Sequence, residues 1–220
     1  MDRIRFQLAL DLTDFEKAAE VSTLVEPLVD VFELGTPLLR RYGVNAIRMF
    51  RERFPLTCLV ADWKTMDCGQ AEAVMAFDAG ADGVIVQAAA PRPTIEAACN
   101  EALSRGKFVM ADSLGIYEVG DLLSRVRGAS LSHVVLHLGK DEQGIGGDIS
   151  AKHARRVAEA LAASHIKLAL AGGLTAQSIE SFQALENLDV AVIGEAVIRS
   201  SRPLEVATEI RRACLREKVM

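Results

Sequence analysis

The sequence predicts a (β/α)8 (TIM) barrel in the α/β class. Three observations carry this: eight short Val/Ile/Leu-rich runs recur along the chain, stretches with helical spacing separate them, and 220 residues lie at the lower end of the length such a barrel uses. The runs are almost continuously apolar, as parallel strands buried on both faces require. An open doubly wound sheet is the second arrangement that the same alternation allows. Half of the residues are hydrophobic, enough to bury one sizeable core, so a single domain over 1–220 is expected. No Pro/Gly/Ser-rich linker divides it.

In chain order, strands are read at 6–10, 31–34, 56–61, 83–87, 107–111, 133–138, 167–171 and 190–193. Each run is rich in residues that suit a pleated, buried surface, and each is followed by a segment of helical period. Ala154, Val157, Ala158 and Leu161 follow the N-cap candidate Ser150, and Ile179, Phe182 and Leu185 follow Thr175. The Gly-bearing stretch 143–147 reads as a long loop on the face that carries the site.

Charge and cysteine usage narrow the classes of partner. The chain has 25 basic and 30 acidic residues, net charge -5, and no Lys/Arg block, which speaks against a nucleic-acid groove or an anionic membrane surface. Cys58, Cys68, Cys99 and Cys214 form no CxxC pair, so neither a zinc site nor a disulfide framework is expected, and a reducing cytoplasm fits. The first residues run straight into a charged strand-like segment, and no apolar run approaches a membrane span. The expectation is a cytoplasmic protein, neither exported nor embedded, acting on small molecules.

Barrel sites gather where strands end at their C-terminal face, and polar residues there stand out. Asp11 closes strand 1, Glu33 lies near the end of strand 2, Asp62 and Lys64 end strand 3, Asp112 ends strand 5 and His137 ends strand 6. Side chains alternate, so Asp62 and Lys64 share a face about 7 Å apart along the chain while Trp63 turns the other way. Glu33 and Asp62, on neighbouring strands, offer the hard oxygen ligands Mg2+ prefers, and such a metal would stabilise an enediolate oxyanion. His137 is a general acid or base candidate. Gly172 and Gly173 after strand 7, and Gly194 after strand 8, lie where barrels often bind phosphate through backbone N–H groups. His133, His153 and His165 read as surface or helix positions without a role.

The set Leu8-Ala9-Leu10-Asp11, Glu33-Leu34-Gly35-Thr36-Pro37, Asp62-Trp63-Lys64-Thr65-Met66-Asp67, His137 and Ala171-Gly172-Gly173 resembles the orotidine 5'-phosphate decarboxylase suprafamily, and within it the 3-hexulose-6-phosphate synthases. The resemblance runs from the first strand to the last helix. It implies a Mg2+-dependent aldolase joining formaldehyde to D-ribulose 5-phosphate through a 1,2-enediolate; a sibling branch decarboxylates 3-keto-L-gulonate 6-phosphate through a similar intermediate. It also implies that Glu33 and Asp62 hold the metal, Lys64 steadies the enediolate oxygen, and Asp67 and His137 move protons or position substrate, with Asp11 among the catalytic groups. The family is dimeric, so Asp67 would reach into the partner's site.

Two positions depart from the family pattern. Lys140 stands where the decarboxylases carry arginine, and it lacks a guanidinium's two-pronged geometry. Glu195 stands where relatives have Gly or Arg at the phosphate-binding turn; a carboxylate there repels a phosphate dianion unless it turns outward. Asp112, Lys140, Gly172, Gly173, Gly194 and Glu195 are the expected substrate-binding set. A diverged sibling with an unphosphorylated substrate, and a catalytically silent barrel that only binds a sugar phosphate, are the other readings.

Overall fold

A computed structural model describes residues 3–215. Eight strands, β1 (Arg5–Leu10), β2 (Val31–Leu34), β3 (Cys58–Thr65), β4 (Gly83–Gln87), β5 (Phe108–Asp112), β6 (His133–His137), β7 (Lys167–Ala171) and β8 (Leu188–Ile193), pair in parallel in chain order. β8 then pairs with β1, from Arg5 opposite Val190 to Leu8 opposite Ile193, and closes the barrel. That closure rules out the open sheet.

The helices are α1 (Phe15–Val25), α2 (Thr36–Tyr42), α3 (Val44–Arg53), α4 (Gly69–Asp78), α5 (Arg92–Ser104), α6 (Val119–Val126), α7 (Lys140–Gly144), α8 (Ala151–Leu161), α9 (Ala176–Phe182), α10 (Glu195–Ile198) and α11 (Pro203–Ala213). The expected caps are present: Ser150 accepts from the His153 N–H, and Thr175 from that of Ser178. Among the described residues, no helix is long and apolar enough to cross a membrane.

Strand side chains divide by the period of two. Val31, Val60, Ile85, Met110, Val135 and Val190 belong to the interior cluster, whereas Phe32, Ala61, Val84, Val109 and Val134 join the layer packed against the helices. Phe32 shows what the outer layer does for the site. Its ring lies 5.0 Å from Phe54, and Phe50 on α3 meets Phe54 at 5.4 Å and Phe15 on α1 at 5.2 Å. Each such ring pair is worth about 1 kcal/mol beyond area burial, and together they fix the strand whose next residue, Glu33, points inward.

Several sequence boundaries move. The third strand runs through Asp62, Trp63 and Lys64 and starts at Cys58; Leu56, read as its first residue, is 96% exposed. Apolar content marked the wrong end, because the mouth-facing half of this strand is polar. The stretch 143–147 is not all loop, since its first two residues finish α7. His133 is corrected as well: it opens β6, is buried, and lies at the N-terminal end of the barrel. There its Nε2 is 2.7 Å from Asp189 and its Nδ1 2.9 Å from Ser132, with Arg5 also paired to Asp189.

Candidate active site

The site begins one layer below the mouth. Gln7 on β1 is buried and donates its Nε2 hydrogen to Glu33 Oε2. Glu33 is buried too; desolvation, then the charges of Asp62 and Asp11, hold its carboxyl well above the usual range despite the Gln7 hydrogen bond. Without a cation, this group tends toward its neutral form.

β3 brings the next groups inward through a bulge. From the Ala61–Val84 pair to the Thr65–Val86 pair, β3 takes four steps where β4 takes two. Lys64 absorbs the excess in a left-handed conformation, φ +48°, which for a side-chain-bearing residue is uncommon and costs of order 1 kcal/mol. The turn sets its Nζ 2.9 Å from Asp62 Oδ2 and 2.9 Å from Asp112 Oδ2. Burial pulls the Lys64 pKa down, but the two carboxylates more than offset it and the net shift is upward. Trp63 packs against the outer layer, as alternation required.

Asp62 is buried, and Thr36 Oγ1 lies 2.9 Å from both its carbonyl oxygen and its Oδ2. Its Oδ1 is buried without a hydrogen-bond partner. A bare carboxylate oxygen in such a place is costly and calls for a cation or donor.

Asp112 is the bridge. Its Oδ1 accepts from the Leu114 N–H at 2.8 Å, and its Oδ2 meets both Lys64 and, at 2.8 Å, His137 Nδ1. Burial pushes this carboxyl up, but the His137 hydrogen bond and charge, helped by Lys64, bring it down to about 2. A carboxylate only accepts, so Nδ1 carries the proton and Nε2 is the nitrogen left for substrate.

Asp11 completes the ring of charges. A Cβ on Gly35 would overlap its Oδ1, so only glycine in the Glu33-Leu34-Gly35-Thr36-Pro37 motif lets the loop pass. The Asp11 surface is open at the mouth while protein crowds around it; desolvation first, then Asp62, raises its carboxyl, against Lys64 and His137.

The neighbouring loops form the other side of the mouth. Gly172 has φ +113°, and a Cβ there would overlap the Leu138 carbonyl. Gln143 reaches under this loop to donate to that carbonyl at 2.8 Å. Lys140 at the start of α7 pairs with Glu195 at the start of α10, and Arg199 Nε meets Glu195 Oε1 at 2.7 Å. The Lys140 hydrogen bond draws the Glu195 carboxyl below its ordinary range. Gly194 packs near Ala9 and Asp11. Asp67 is exposed beyond β3, where its Oδ1 accepts from the Cys68 N–H at 2.7 Å.

Asp11, Glu33, Asp62, Lys64, Asp112 and His137 thus converge on one mouth, Lys140 and Glu195 pair beside it, and Asp67 stands apart. Gln7, Thr36 and Arg199 were missed. Gln7 is legible only once β1 is given an inward face, two steps before Ala9; Thr36 stands inside a recognised motif, and Arg199 is one helical turn from Glu195.

No three His, Cys, Asp or Glu side chains among the described residues are gathered as a metal cluster. The fit to Mg2+ rests instead on the pair Glu33 and Asp62, with its orphaned Asp62 Oδ1 and its carboxyl repulsion. A hexacoordinate cation that keeps several waters suits two carboxylates.

A closed eight-stranded barrel with its ionisable groups collected at the C-terminal mouth defines the class as a (β/α)8 barrel with an enzyme-like site. The chain belongs to the orotidine 5'-phosphate decarboxylase / HUMPS family, whose profile matches residues 5–210. It is 35% identical over 215 residues to the 3-hexulose-6-phosphate synthase of Mycobacterium gastri, covering 96% of this chain and 99% of that one. The solved 3-hexulose-6-phosphate synthase from Salmonella typhimurium matches at TM-score 0.88 and 30% identity, over 96% of this chain and 98% of the other. The 3-keto-L-gulonate-6-phosphate decarboxylase from Vibrio cholerae O1 biovar El Tor str. N16961 matches at TM-score 0.84 and 27% identity, over 97% and 98%.

Proposed function

We propose that this chain is a lyase of the 3-hexulose-6-phosphate synthase type, joining formaldehyde to D-ribulose 5-phosphate through a 1,2-enediolate. The observation that carries it is the Lys64 ammonium held between Asp62 and Asp112, with His137 on the same Asp112 oxygen. A binding-only barrel has little use for so many buried charges, each expensive unless paired.

In this reading Lys64 stays protonated and donates to the oxygen that gains charge as the C1 proton leaves, while Asp112 fixes its direction. His137 Nε2, with Nδ1–H anchored on Asp112, moves protons at the reacting carbons and oxygens. Asp67, supplied from a partner in a homodimer, shares in proton transfer or substrate positioning. Asp11, its carboxyl raised, is a second proton carrier at the mouth. Glu33 and Asp62 would hold Mg2+, which when bound supplies Lewis-acid stabilisation to developing oxyanion charge. Gly172, Gly173 and Gly194, following β7 and β8, would offer backbone N–H groups to the phosphate. The setting proposed is a cytoplasmic homodimer acting on a sugar phosphate.

The test is loss of the C1 hydrogen signal of D-ribulose 5-phosphate by NMR in D2O with Mg2+, with and without formaldehyde. Exchange, followed by a hexulose phosphate on adding formaldehyde, is expected. Exchange without that product, together with CO2 release from 3-keto-L-gulonate 6-phosphate, would assign the decarboxylase branch. No exchange from folded, Mg2+-supplied protein would sink the enediolate reading.

A further inference from the structure

Glu195 has two cationic partners that differ in kind. Arg199 lies one turn along on its own segment, whereas Lys140 reaches it from the start of α7, the helix after β6. Since β7 stands between β6 and β8, the Lys140–Glu195 bridge spans the mouth where the Gly172-Gly173 loop rises. All three side chains are partly or largely exposed, with 61% of Lys140, 38% of Glu195 and 75% of Arg199 accessible. The bridge therefore exchanges readily, because exposed pairs gain little over hydration.

We propose that Glu195 is an internal stand-in for the substrate's phosphate: it holds Lys140 in the free protein, yields it to an incoming phosphate dianion, and retires onto Arg199. The inference rests on the sugar-phosphate reading above and adds a competitor within its anion subsite. Three observations support it. In the free protein Glu195 neutralises Lys140, the cation of this cluster that faces the incoming phosphate, so the carboxylate directly competes for the charge a phosphate would use. Glu195 directly follows Gly194, which packs against Ala9 and Asp11, and this places it at the mouth. Arg199 gives Glu195 an outward partner, so displacement leaves no charge unpaired. Lys140 becomes the anion-binding residue, Glu195 a specificity device that penalises weakly anionic ligands, and Arg199 a positioning residue.

Calorimetric titration of D-ribulose 5-phosphate, inorganic phosphate and unphosphorylated ribulose tests this in the unmodified protein and in Glu195→Gln, Lys140→Gln, Arg199→Gln and the double variant Arg199→Gln/Glu195→Gln. Glu195→Gln is expected to tighten both phosphates about fivefold and leave ribulose unchanged, and Lys140→Gln to weaken both phosphates by a similar factor. Arg199→Gln should weaken phosphate binding only while Glu195 is present, with no further effect in the double variant. Equal or weaker phosphate binding in Glu195→Gln overturns the proposal, as does an Arg199 effect that persists without Glu195. So does a failure of both phosphates to bind either the unmodified protein or Glu195→Gln. Binding that follows the expected pattern without C1 exchange would leave this proposal standing and remove the enediolate chemistry instead.

Discussion

Lys64 on β3 and Asp112 on β5 form a 2.9 Å ion pair although β4 lies between their strands. The contact depends on the bulge and left-handed backbone at Lys64, which carry the ammonium across the mouth. Because the same Asp112 oxygen holds His137, one carboxylate orients both side chains.

Replacing Asp112 by Asn keeps the size but removes that charge. The expected cost is about 2 kcal/mol of stability, since Lys64 keeps Asp62 but His137 loses its anionic partner. In the proposed reaction kcat should fall about a hundredfold with a smaller change in KM, because aim rather than binding is lost. The pH dependence follows from the sign of the shift. The folded carboxyl titrates near 2 against an ordinary 3.8, so its contribution is present above about pH 4 and lost as pH falls through 2. Acid unfolding followed by circular dichroism should therefore show a shallower loss between pH 4 and 2 in the variant; identical profiles would contradict the assignment.

Much of this was legible beforehand, for a physical reason. Near-continuous apolar runs announce parallel strands, and Asp11, Glu33, Asp62, Asp112 and His137 were visible as polar endings of those runs. The β3 boundary was not, because a bulged, mouth-facing strand half carries Trp63 and Lys64 instead of aliphatic residues. His133 was misplaced because one histidine at the head of an apolar run has no periodic signature; only barrel closure reveals that Asp189 and Arg5 stand beside it. The Glu195 question was legible as a conflict, but its partners required the fold: Lys140 is distant in sequence, and only strand order brings the loops after β6 and β8 together.

Glu33 gives a prediction of the opposite sign. Its carboxyl is held well above the ordinary range, so without a cation its contribution is greatest at acid pH and is lost as pH rises through the folded value. Glu33→Gln should raise the Tm of metal-free protein at neutral pH, by about 1–2 kcal/mol in equivalent stability, while losing the Tm increase that Mg2+ gives the unmodified protein. Asp62→Asn should likewise lose the Mg2+ response, and EDTA should abolish turnover until Mg2+ returns. A full Mg2+-induced Tm shift in either variant would remove that residue from the metal role.

Asp67 tests the proposed dimer. It is exposed and, among the described residues, forms no ion pair. If each site takes Lys64 from one subunit and Asp67 from the other, Lys64→Ala and Asp67→Ala are each inactive. Mixing them after reversible dissociation should restore about a quarter of full activity, because half the dimers are mixed and each has one intact site. No recovery despite demonstrated subunit exchange would place both residues in the same subunit's site.

The opposite end of the barrel should behave differently, because charges at the N-terminal face lie far from the strand ends that form the site. Asp189 meets His133 Nε2 at 2.7 Å and also pairs with Arg5. Desolvation raises its carboxyl, but the His133 and Arg5 hydrogen bonds outweigh this and hold it below the usual range. Its stabilisation is therefore present above the ordinary carboxylate pKa and lost in acid. Asp189→Asn leaves the Arg5 charge and His133 facing a weaker acceptor and is expected to cost about 1–2 kcal/mol, discounted because the carboxylate is a third exposed (32%). Chemical denaturation should show that loss while kcat and the Mg2+-induced Tm shift stay as they were. A kcat collapse with stability intact would mean that this lower network reaches the mouth, through β6 from His133 to His137 or through β8 to Gly194.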